Sequence, residues 1–444
     1  MWKALGFKES PYDVRPLRSV SEDVDLLVGR EDEAVTLYTA LDAAREGVLV
    51  LSGVPGVGKT SFLNVQQYLL ATGEAPFGPL IVPAYQLCPI YPGDSPKAVG
   101  LRALTSLVAS IETYADQFKK AVPGEVKKIA KWVRSAGGGG FEVGIQILGT
   151  GANVGRQTTL PSAADASFES IRDALTAVAA DAVAAYGCQS VVVVLDNVEN
   201  LDEKHLTNLL LTFRDTLFMA PSTWWIIIGQ SGLASQMQTI DPRISDRLSG
   251  PGLELRPLTL EELDTAISKR VARFNIVQGA KSPLPEPIHR ELYDASNGEI
   301  RFVFKYSSAI CARFVEFVRK TITRAGFPKK VLGASFDTHI AKNLINKQIP
   351  ENIARDHLKS VVEDEVKQLL LKPKDRSVLR QLYKEREARS SDHQKFGVKS
   401  PQAFSSNYLS PFFAKYLLSR RQQGAAVYYS LRGVTALAAH YGVL

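Results

Sequence analysis

The sequence predicts an α/β protein built on a mostly parallel five-stranded sheet. Five short runs rich in Val, Leu and Ile are separated by stretches with helical periodicity, and such runs are typical of strands buried on both faces. The runs are VLVLSG after Gly47 and residues 79–87, 190–197, 224–229 and 253–258. Because strands and helices alternate, the connections predict a parallel sheet with crossover helices.

Length, composition and cysteine content limit the class of protein. A chain of 444 residues predicts two to four domains at ~100–200 residues each. The hydrophobic fraction is 45%, and no apolar run approaches the ~20 residues of a membrane span. The N-terminus lacks a secretion signal, and Cys88, Cys188 and Cys311 lack paired or metal-binding spacing. We therefore expect a cytoplasmic protein with no membrane partner.

The periodicity also predicts a domain order. Apolar residues at helical spacing dominate after the last predicted strand, and one long amphipathic helix separates them from the C-terminal segment. The base contains an insertion at about 95–185 with a Gly-rich β-hairpin at 137–159, predicted from alternating apolar residues. The predicted domains are the base at 1–260, a helical lid at 261–345, a connector helix at 346–372 and a winged helix at 373–444.

A glycine-rich loop, GVPGVGKT at residues 53–60, follows the first predicted strand and precedes a predicted helix. This is the pattern of a P-loop, in which backbone N–H groups and the positive end of a helix hold phosphates. Lys59 is expected to reach the β- and γ-phosphates of ATP, and Thr60 to ligate Mg²⁺. The expected nucleotide contacts in this loop are Pro55, Gly56, Val57, Gly58, Lys59, Thr60 and Ser61.

Asp196 ends the most apolar predicted strand and is the expected second Mg²⁺ ligand. Many P-loop ATPases carry a catalytic glutamate at the next position, where this sequence has Asn197, with Glu199 two residues further on. An amide can orient the attacking water but cannot accept its proton. Either Glu199 substitutes, or ATP turnover is slow and the protein works mainly as an ATP-dependent switch, which is the interpretation we favour.

The order of these segments resembles the AAA+ ATPases, and within them the origin-recognition and initiator-type clade, over roughly residues 20–310. The matching segments are VGRE (28–31), GVPGVGKT, VVVVLDNVENL, WWIIIGQSGL (224–233), DPRISDRL (241–248) and NGEIR (297–301). The resemblance implies ATP-dependent assembly of identical subunits. It also implies that the first segment, Val28, Gly29 and Arg30, contacts the adenine.

The same resemblance implies three sensing positions around the γ-phosphate. Gln230 or Ser231 falls at the polar sensor after the fourth strand, and Arg301 at the second sensor in the lid. Arg247 falls at the arginine finger offered to a neighbouring subunit, with Arg243 as a close competitor. A guanidinium suits these roles because it is always charged and binds phosphate oxygens in a bidentate manner.

The C-terminal segment carries the positive charge of the chain. Residues 371–444 contain 13 Lys and Arg against 4 Asp and Glu, a net +9 in a chain whose total is +7. Helix, helix, Gly-containing turn and strand follow in the order of a winged helix, with a recognition helix at 400–418. A winged helix can also dock proteins, but the basic excess favours double-stranded DNA. The expected DNA contacts are Lys395, Lys399, Ser400, Gln402, Arg420 and Arg421.

Two alternatives stay open at this stage. The sequence also resembles signal-transducing NTPases of the STAND type, which implies a scaffold that assembles and presents an effector protein, for example in anti-phage defence. The 137–159 hairpin either covers the edge of the sheet or contacts nucleic acid or a partner. The six histidines are scattered without metal-ligand spacing, so Mg²⁺ is the metal we expect.

Overall fold

A computed structural model describes residues 1–135, 166–250, 252–276, 279–324, 344, 347–423 and 426–444. The chain divides into two compact units. The sheet unit comprises Leu17–Val54 and Lys59–Arg256, and the helical unit comprises Met1–Pro16, Pro55–Gly58 and Pro257–Leu444. The predicted 137–159 hairpin lies outside the described residues. The predicted boundaries of lid, connector and winged helix stay predictions.

The five predicted strands are present in one sheet whose order is β2-β4-β5-β1-β6. All its pairings are parallel, with Leu49 opposite Ile226 and Val192 opposite Trp224. A sixth strand of two residues, β3, pairs with the end of β4 and was not predicted. The bounds are β1 Gly47–Gly53, β2 Ile81–Val82, β3 Cys88–Pro89, β4 Ser190–Asp196, β5 Thr223–Ile228 and β6 Leu253–Leu255. The α/β fold with a parallel sheet is thus confirmed.

Two tryptophans anchor the middle of this sheet. Trp224 and Trp225 are consecutive on β5, so their side chains point to opposite faces, and both are fully buried. Each indole N–H has an acceptor, Ala44 O at 3.2 Å and Leu217 O at 2.9 Å respectively. Because both buried donors are paired, the rings contribute apolar area without an unsatisfied polar group.

Nine helices are described in the sheet unit, and several begin at a side-chain cap. Ser95 accepts a hydrogen bond from Ala98 N, and Ser167 accepts one from Ser170 N, which satisfies donors at a helix start. Three of these helices belong to the predicted insertion and pack together. The bounds are α1 Ser21–Val24, α2 Glu31–Ala43, α3 Lys59–Thr72, α4 Pro96–Gln117, α5 Gly124–Ser135, α6 Phe168–Tyr186, α7 Glu203–Arg214, α8 Leu233–Ile240 and α9 Pro242–Ser245.

The helical unit has its own apolar core, which includes residues from the N-terminal segment. Tyr12 is 1% exposed, and its hydroxyl lies 2.7 Å from Ser282 Oγ and 3.0 Å from His289 Nε2. Its larger helices are α10 Leu260–Phe274, α11 Glu286–Ser296, α12 Ile300–Arg324, α13 Glu351–Gln368 and α14 Pro373–Glu385. The long amphipathic helix of the sequence is α13, and its apolar face, including Leu358 and Val362, is buried in this core.

The C-terminal part of the helical unit ends in a strand pair and a helix. The predicted helix at 400–418 is wrong at its end: it stops at Ala414, because Tyr416 takes a left-handed conformation with φ 57°. The following residues form a strand, and Ala388 adds a bridge to Tyr429. The elements are α15 Pro401–Phe404, a π-helical turn Ser405–Leu409, α16 Ser410–Ala414, β7 Leu418–Gln423 antiparallel to β8 Ala426–Leu431, and α17 Val434–His440.

Candidate nucleotide-binding site

The glycine loop joins β1 to α3, as the sequence predicts. Gly56 and Gly58 have φ of 78° and 102°, a backbone region that side chains other than glycine rarely adopt. These two residues let the chain curl so that its N–H groups converge near the first turn of α3. Lys59 Nζ donates to Gly53 O at 2.7 Å and to Val54 O at 3.2 Å, so the ammonium group lies against the loop itself.

The residues after Lys59 have separable roles. Thr60 is half-buried in the first turn of α3, where a hydroxyl can reach a metal beside the loop. Ser61 Oγ instead accepts a hydrogen bond from Leu17 N at 3.0 Å, and Asn64 Nδ2 donates to Leu17 O at 2.8 Å. Ser61 therefore fixes the start of the sheet unit, a role that sequence reasoning did not predict.

Asp196 ends β4 at the same edge of the sheet as the glycine loop, since parallel strands present their carboxyl ends together. Its Oδ1 accepts from Asn197 N at 3.0 Å. Asn197 has φ 63°, and asparagine tolerates this left-handed conformation better than glutamate does. The backbone thus gives a physical reason for asparagine at a position where a catalytic glutamate was expected. Glu199 is exposed on the following 3₁₀ turn.

In the segment predicted to contact the adenine, the arginine has a structural role. Arg30 is 4% exposed, and its Nη1 donates to Glu33 Oε1 at 3.0 Å and to Arg256 O at 2.8 Å. The guanidinium therefore ties α2 to the end of β6. In the same segment Val28 is half-buried and Gly29 is buried, and their contact with the adenine stays a prediction.

The residues predicted as the first sensor, Gln230 and Ser231, lie directly after β5. Gly229 N donates to Leu51 O at 3.1 Å, which keeps the chain beside β1 as it leaves the sheet. Gln230 is half-buried and Ser231 is exposed. A carboxylate that was not predicted lies at this edge: Glu254 on β6 accepts a hydrogen bond from Ser52 Oγ. The pattern LELRPL gave no sign of it beyond one polar residue in an apolar strand.

The two candidate arginine fingers differ in their partners. Arg243 Nη2 lies 2.8 Å from Asp241 Oδ2, and the hydrogen bonds from Arg243 lower the pKa of Asp241 to about 2. Arg247 is exposed, and its Nη2 lies 3.5 Å from Met219 Sδ, a weak acceptor. Arg243 is therefore paired directly with a carboxylate, whereas Arg247 acts on one only at longer range: Arg214, and more weakly Arg243 and Arg247, lower the pKa of Asp215.

In the helical unit, the turn between α11 and α12 contains the predicted second sensor. Arg301 is exposed, and its backbone N lies 3.4 Å from Gly56 O. Two further residues were not predicted: Glu299 lies against Gly56 and pairs with Arg432 at 2.7 Å. The motif NGEIR contains the first, but the sequence gives no signal for the second.

The predicted DNA contacts include two exposed side chains that form ion pairs, one helix cap and three further exposed side chains. Lys395 pairs with Glu385 at 3.0 Å, and Arg421 pairs with Glu387 at 2.9 Å. Ser400 caps α15 by accepting from Ala403 N. The side chains of Lys399, Gln402 and Arg420 are exposed.

The aromatic ring of Tyr428, on β8, has two cationic neighbours. Two guanidinium groups lie over the Tyr428 ring, that of Arg421 at 5.0 Å and that of Arg389 at 5.6 Å from the ring centroid. Both distances are within the range of a cation–π interaction. The basic region is thus held together by aromatic contacts as well as by ion pairs.

The two predicted Mg²⁺ ligands, Thr60 and Asp196, both carry oxygen donors. Two protein oxygens suit Mg²⁺ because this ion usually keeps several waters. In the described part of the chain, no group of three or more His, Cys, Asp or Glu side chains is placed to hold a metal. Among the helices of these same residues, none has the length and apolar character to cross a membrane.

A glycine loop between a buried strand and a helix, with an acidic residue ending a neighbouring strand, defines a P-loop nucleotide-binding domain. Comparison with known families agrees: residues 26–224 match the AAA ATPase domain. Residues 26–224 are thus similar to an AAA ATPase domain, and the predicted resemblance to AAA+ ATPases is confirmed for that part of the chain. No curated protein sequence matches the chain.

Solved structures extend the likeness of fold to nearly the whole chain. The ORC2 protein of Aeropyrum pernix, determined in ADPNP–ADP complexes, is 13% identical, with a TM-score of 0.51 over 99% of this chain and 97% of that one. The ORC1 protein of the same organism, in complex with DNA, is 14% identical, with a TM-score of 0.44 over 97% and 96%. At these identities the similarity to ORC2 is one of fold.

Proposed function

We propose that the protein is an ATP-binding AAA+ switch in which slow hydrolysis of ATP is coupled to homo-oligomerisation and to control of DNA binding. The observation that carries the proposal is the end of β4, where Asn197 follows Asp196 in a left-handed conformation. We assign the binding groups to this edge, whereas the position after Asp196, where many P-loop ATPases have a glutamate that accepts a proton, holds an amide.

Nucleotide binding follows from the glycine loop. The N–H groups of residues 55–60 wrap the phosphates, and Lys59 exchanges its two carbonyl acceptors for phosphate oxygens. Thr60 and Asp196 hold Mg²⁺, which neutralises charge on the phosphates. Val28 and Gly29 contact the base.

Hydrolysis is slow because the site lacks a base next to Asp196. The Asn197 amide orients a water without accepting its proton. Glu199, the other candidate base, is exposed on the 3₁₀ turn and does not directly follow Asp196. ATP thus persists long enough to act as a conformational signal.

Assembly follows from Arg247. Its exposed guanidinium, whose Nη2 lies 3.5 Å from the Met219 thioether sulfur, can reach the γ-phosphate on an adjacent subunit. Gln230 or Ser231 is assigned as the first sensor of the γ-phosphate, and Arg301 as the second. ATP then stabilises contacts between subunits, and its loss weakens them.

DNA binding is assigned to the C-terminal basic region as a winged helix. Gln402 lies near the start of the α15–α16 helical stretch, where base edges are met, and Lys399 and Arg420 face solvent. The net +9 of residues 371–444 supports phosphate contacts.

One observation favours a second function, that of a STAND-like signalling scaffold. Lys395 and Arg421 each lie against a carboxylate, which reduces the charge offered to DNA. Such a paired surface suits docking of an effector protein. This alternative predicts ATP-dependent oligomers with negligible DNA affinity.

The test is to size the purified protein with and without ATP and double-stranded DNA, beside Lys59→Ala. The proposal predicts larger assemblies and salt-sensitive DNA binding that depend on ATP and on Lys59. Lys320→Ala, which removes an exposed lysine from α12, is the matched control. If neither oligomer size nor DNA binding changes with ATP or with Lys59→Ala, the proposed switch function is contradicted. ATP-dependent assembly without DNA binding favours the scaffold function.

A further inference from the structure

The turn between α11 and α12 carries a carboxylate against the glycine loop. This turn, Asn297–Arg301, contains two left-handed residues, Asn297 at φ 58° and Gly298 at φ 82°. They place Glu299 directly over Gly56, so closely that a Cβ added to Gly56 would overlap the Glu299 carboxylate. Both residues belong to the helical unit.

Glu299 is neutralised by a residue from the far end of the sequence. Its Oε2 accepts from Arg432 Nη2 at 2.7 Å, and the two side chains are 19% and 12% exposed. Burial raises the pKa of Glu299, while Arg432, and more weakly Arg301 and Lys305, lower it. In a pair this buried, removing Arg432 leaves a Glu299 charge that Arg301 and Lys305 compensate only in part.

Arg432 is held in place by the backbone around it. Its N donates to Leu417 O at 3.1 Å, and Gly433 N donates to Ala295 O at 2.6 Å. Gly433 has φ 60°, and a Cβ there would lie 3.1 Å from the ring of Phe302. The junction between β8 and α17 thus docks closely on the two helices that flank Glu299.

We propose that Arg432 is a positioning residue for the glycine loop: it neutralises Glu299, so the affinity of the loop for a nucleotide's phosphates depends on docking of the β8–α17 junction. This inference rests on the proposed nucleotide binding. Phosphates held by the loop lie within the ~8–10 Å over which charges interact in physiological salt. A bare carboxylate at Gly56 repels them, and the Arg432 guanidinium cancels that repulsion.

The same contact gives the C-terminal region a route to the nucleotide. A ligand on β7–β8 that displaces Arg432 weakens ATP binding, and linkage requires ATP to oppose that displacement equally. Coupling of this kind needs no change in the residues that touch ATP.

The test measures ATP affinity of the full chain by titration. Arg432→Gln is expected to weaken ATP binding about tenfold. Glu299→Gln is expected to bind ATP more tightly than the wild type, because the Arg432 guanidinium then has no carboxylate partner, and the double variant returns to within threefold of the wild type. Arg313→Gln is the matched control. Arg313 lies on α12 and pairs with another carboxylate, that of Asp364 at 2.6 Å, so its loss is expected to leave ATP affinity unchanged.

Each outcome decides the matter. Folded Arg432→Gln with unchanged ATP affinity overturns the inference, and so does Glu299→Gln that binds ATP more weakly. If Arg432→Gln fails to fold, Glu299→Gln decides alone: unchanged or weaker binding then counts against the inference, and tighter binding supports it. ATP binding that depends on Lys59 but ignores both residues contradicts this inference only, whereas absence of ATP binding in the wild type contradicts the proposed function and this inference together.

Discussion

The glycine loop and the C-terminal basic region both offer cations to an anion, but they hold them differently. Lys59 lies against two neutral carbonyl groups, whereas Lys395 and Arg421 lie against carboxylates. A phosphate displaces a neutral acceptor easily and competes with a carboxylate at a greater cost. The difference teaches what each region would exchange on binding an anion: two carbonyl contacts at Lys59, and carboxylate partners at Lys395 and Arg421.

The largest effect is expected at the loop. Lys59→Ala should weaken ATP binding about 100-fold, the scale of a lost charge-assisted hydrogen bond or two. Isothermal titration with ATP measures it, with Lys320→Ala as the control. If ATP affinity changes less than threefold in a folded Lys59→Ala protein, the comparison fails, because Lys59 would then not contribute to phosphate binding.

A smaller effect is expected at Asn197, where backbone conformation explains the residue. Asn197→Glu should lower the free energy of unfolding by about 1 kcal/mol, because a longer side chain at φ 63° is strained. Asn197→Gly should stay within about 0.5 kcal/mol of the wild type. Urea denaturation gives both values; equal stability of the two variants would show that the left-handed conformation does not select asparagine.

The smallest effect is expected from freeing the basic region. Replacing Glu385 and Glu387 together by Gln should raise affinity for double-stranded DNA about threefold and steepen the salt dependence by up to ~1–2 contacts. Fluorescence anisotropy at several salt concentrations measures both. Glu316→Gln, an exposed carboxylate paired with Lys320 on α12, is the control. Unchanged affinity and slope indicate that these ion pairs do not compete with phosphate.

Much of the sheet unit could be predicted because its signals are local. Each predicted strand is a continuous apolar run, and GVPGVGKT is a contiguous pattern between a strand and a helix. Strand β3 was missed because two residues, Cys88 and Pro89, are too short to give a periodic signal. The end of the 400–418 helix was missed because Tyr416, a residue with no turn preference, takes the left-handed conformation.

The candidate site was predictable only where one segment carries the chemistry. The asparagine after Asp196 was visible in the sequence. The left-handed backbone conformation that favours asparagine there, with φ 63°, is known only from the structure. The Glu299–Arg432 pair joins residues 133 positions apart, and no local pattern marks such a pair. Likewise, the sequence counts Lys395 and Arg421 as charge for DNA, and only the structure gives their carboxylate partners.

The central claim is that the site holds ATP rather than consuming it quickly. The direct measurement is single-turnover hydrolysis of ATP by the wild type with Mg²⁺, beside ATP affinity under the same conditions. The account predicts Lys59-dependent binding with turnover far below the ~1–100 s⁻¹ of efficient phosphoryl-transfer enzymes. Turnover in that range, with Asn197 beside Asp196, would contradict it.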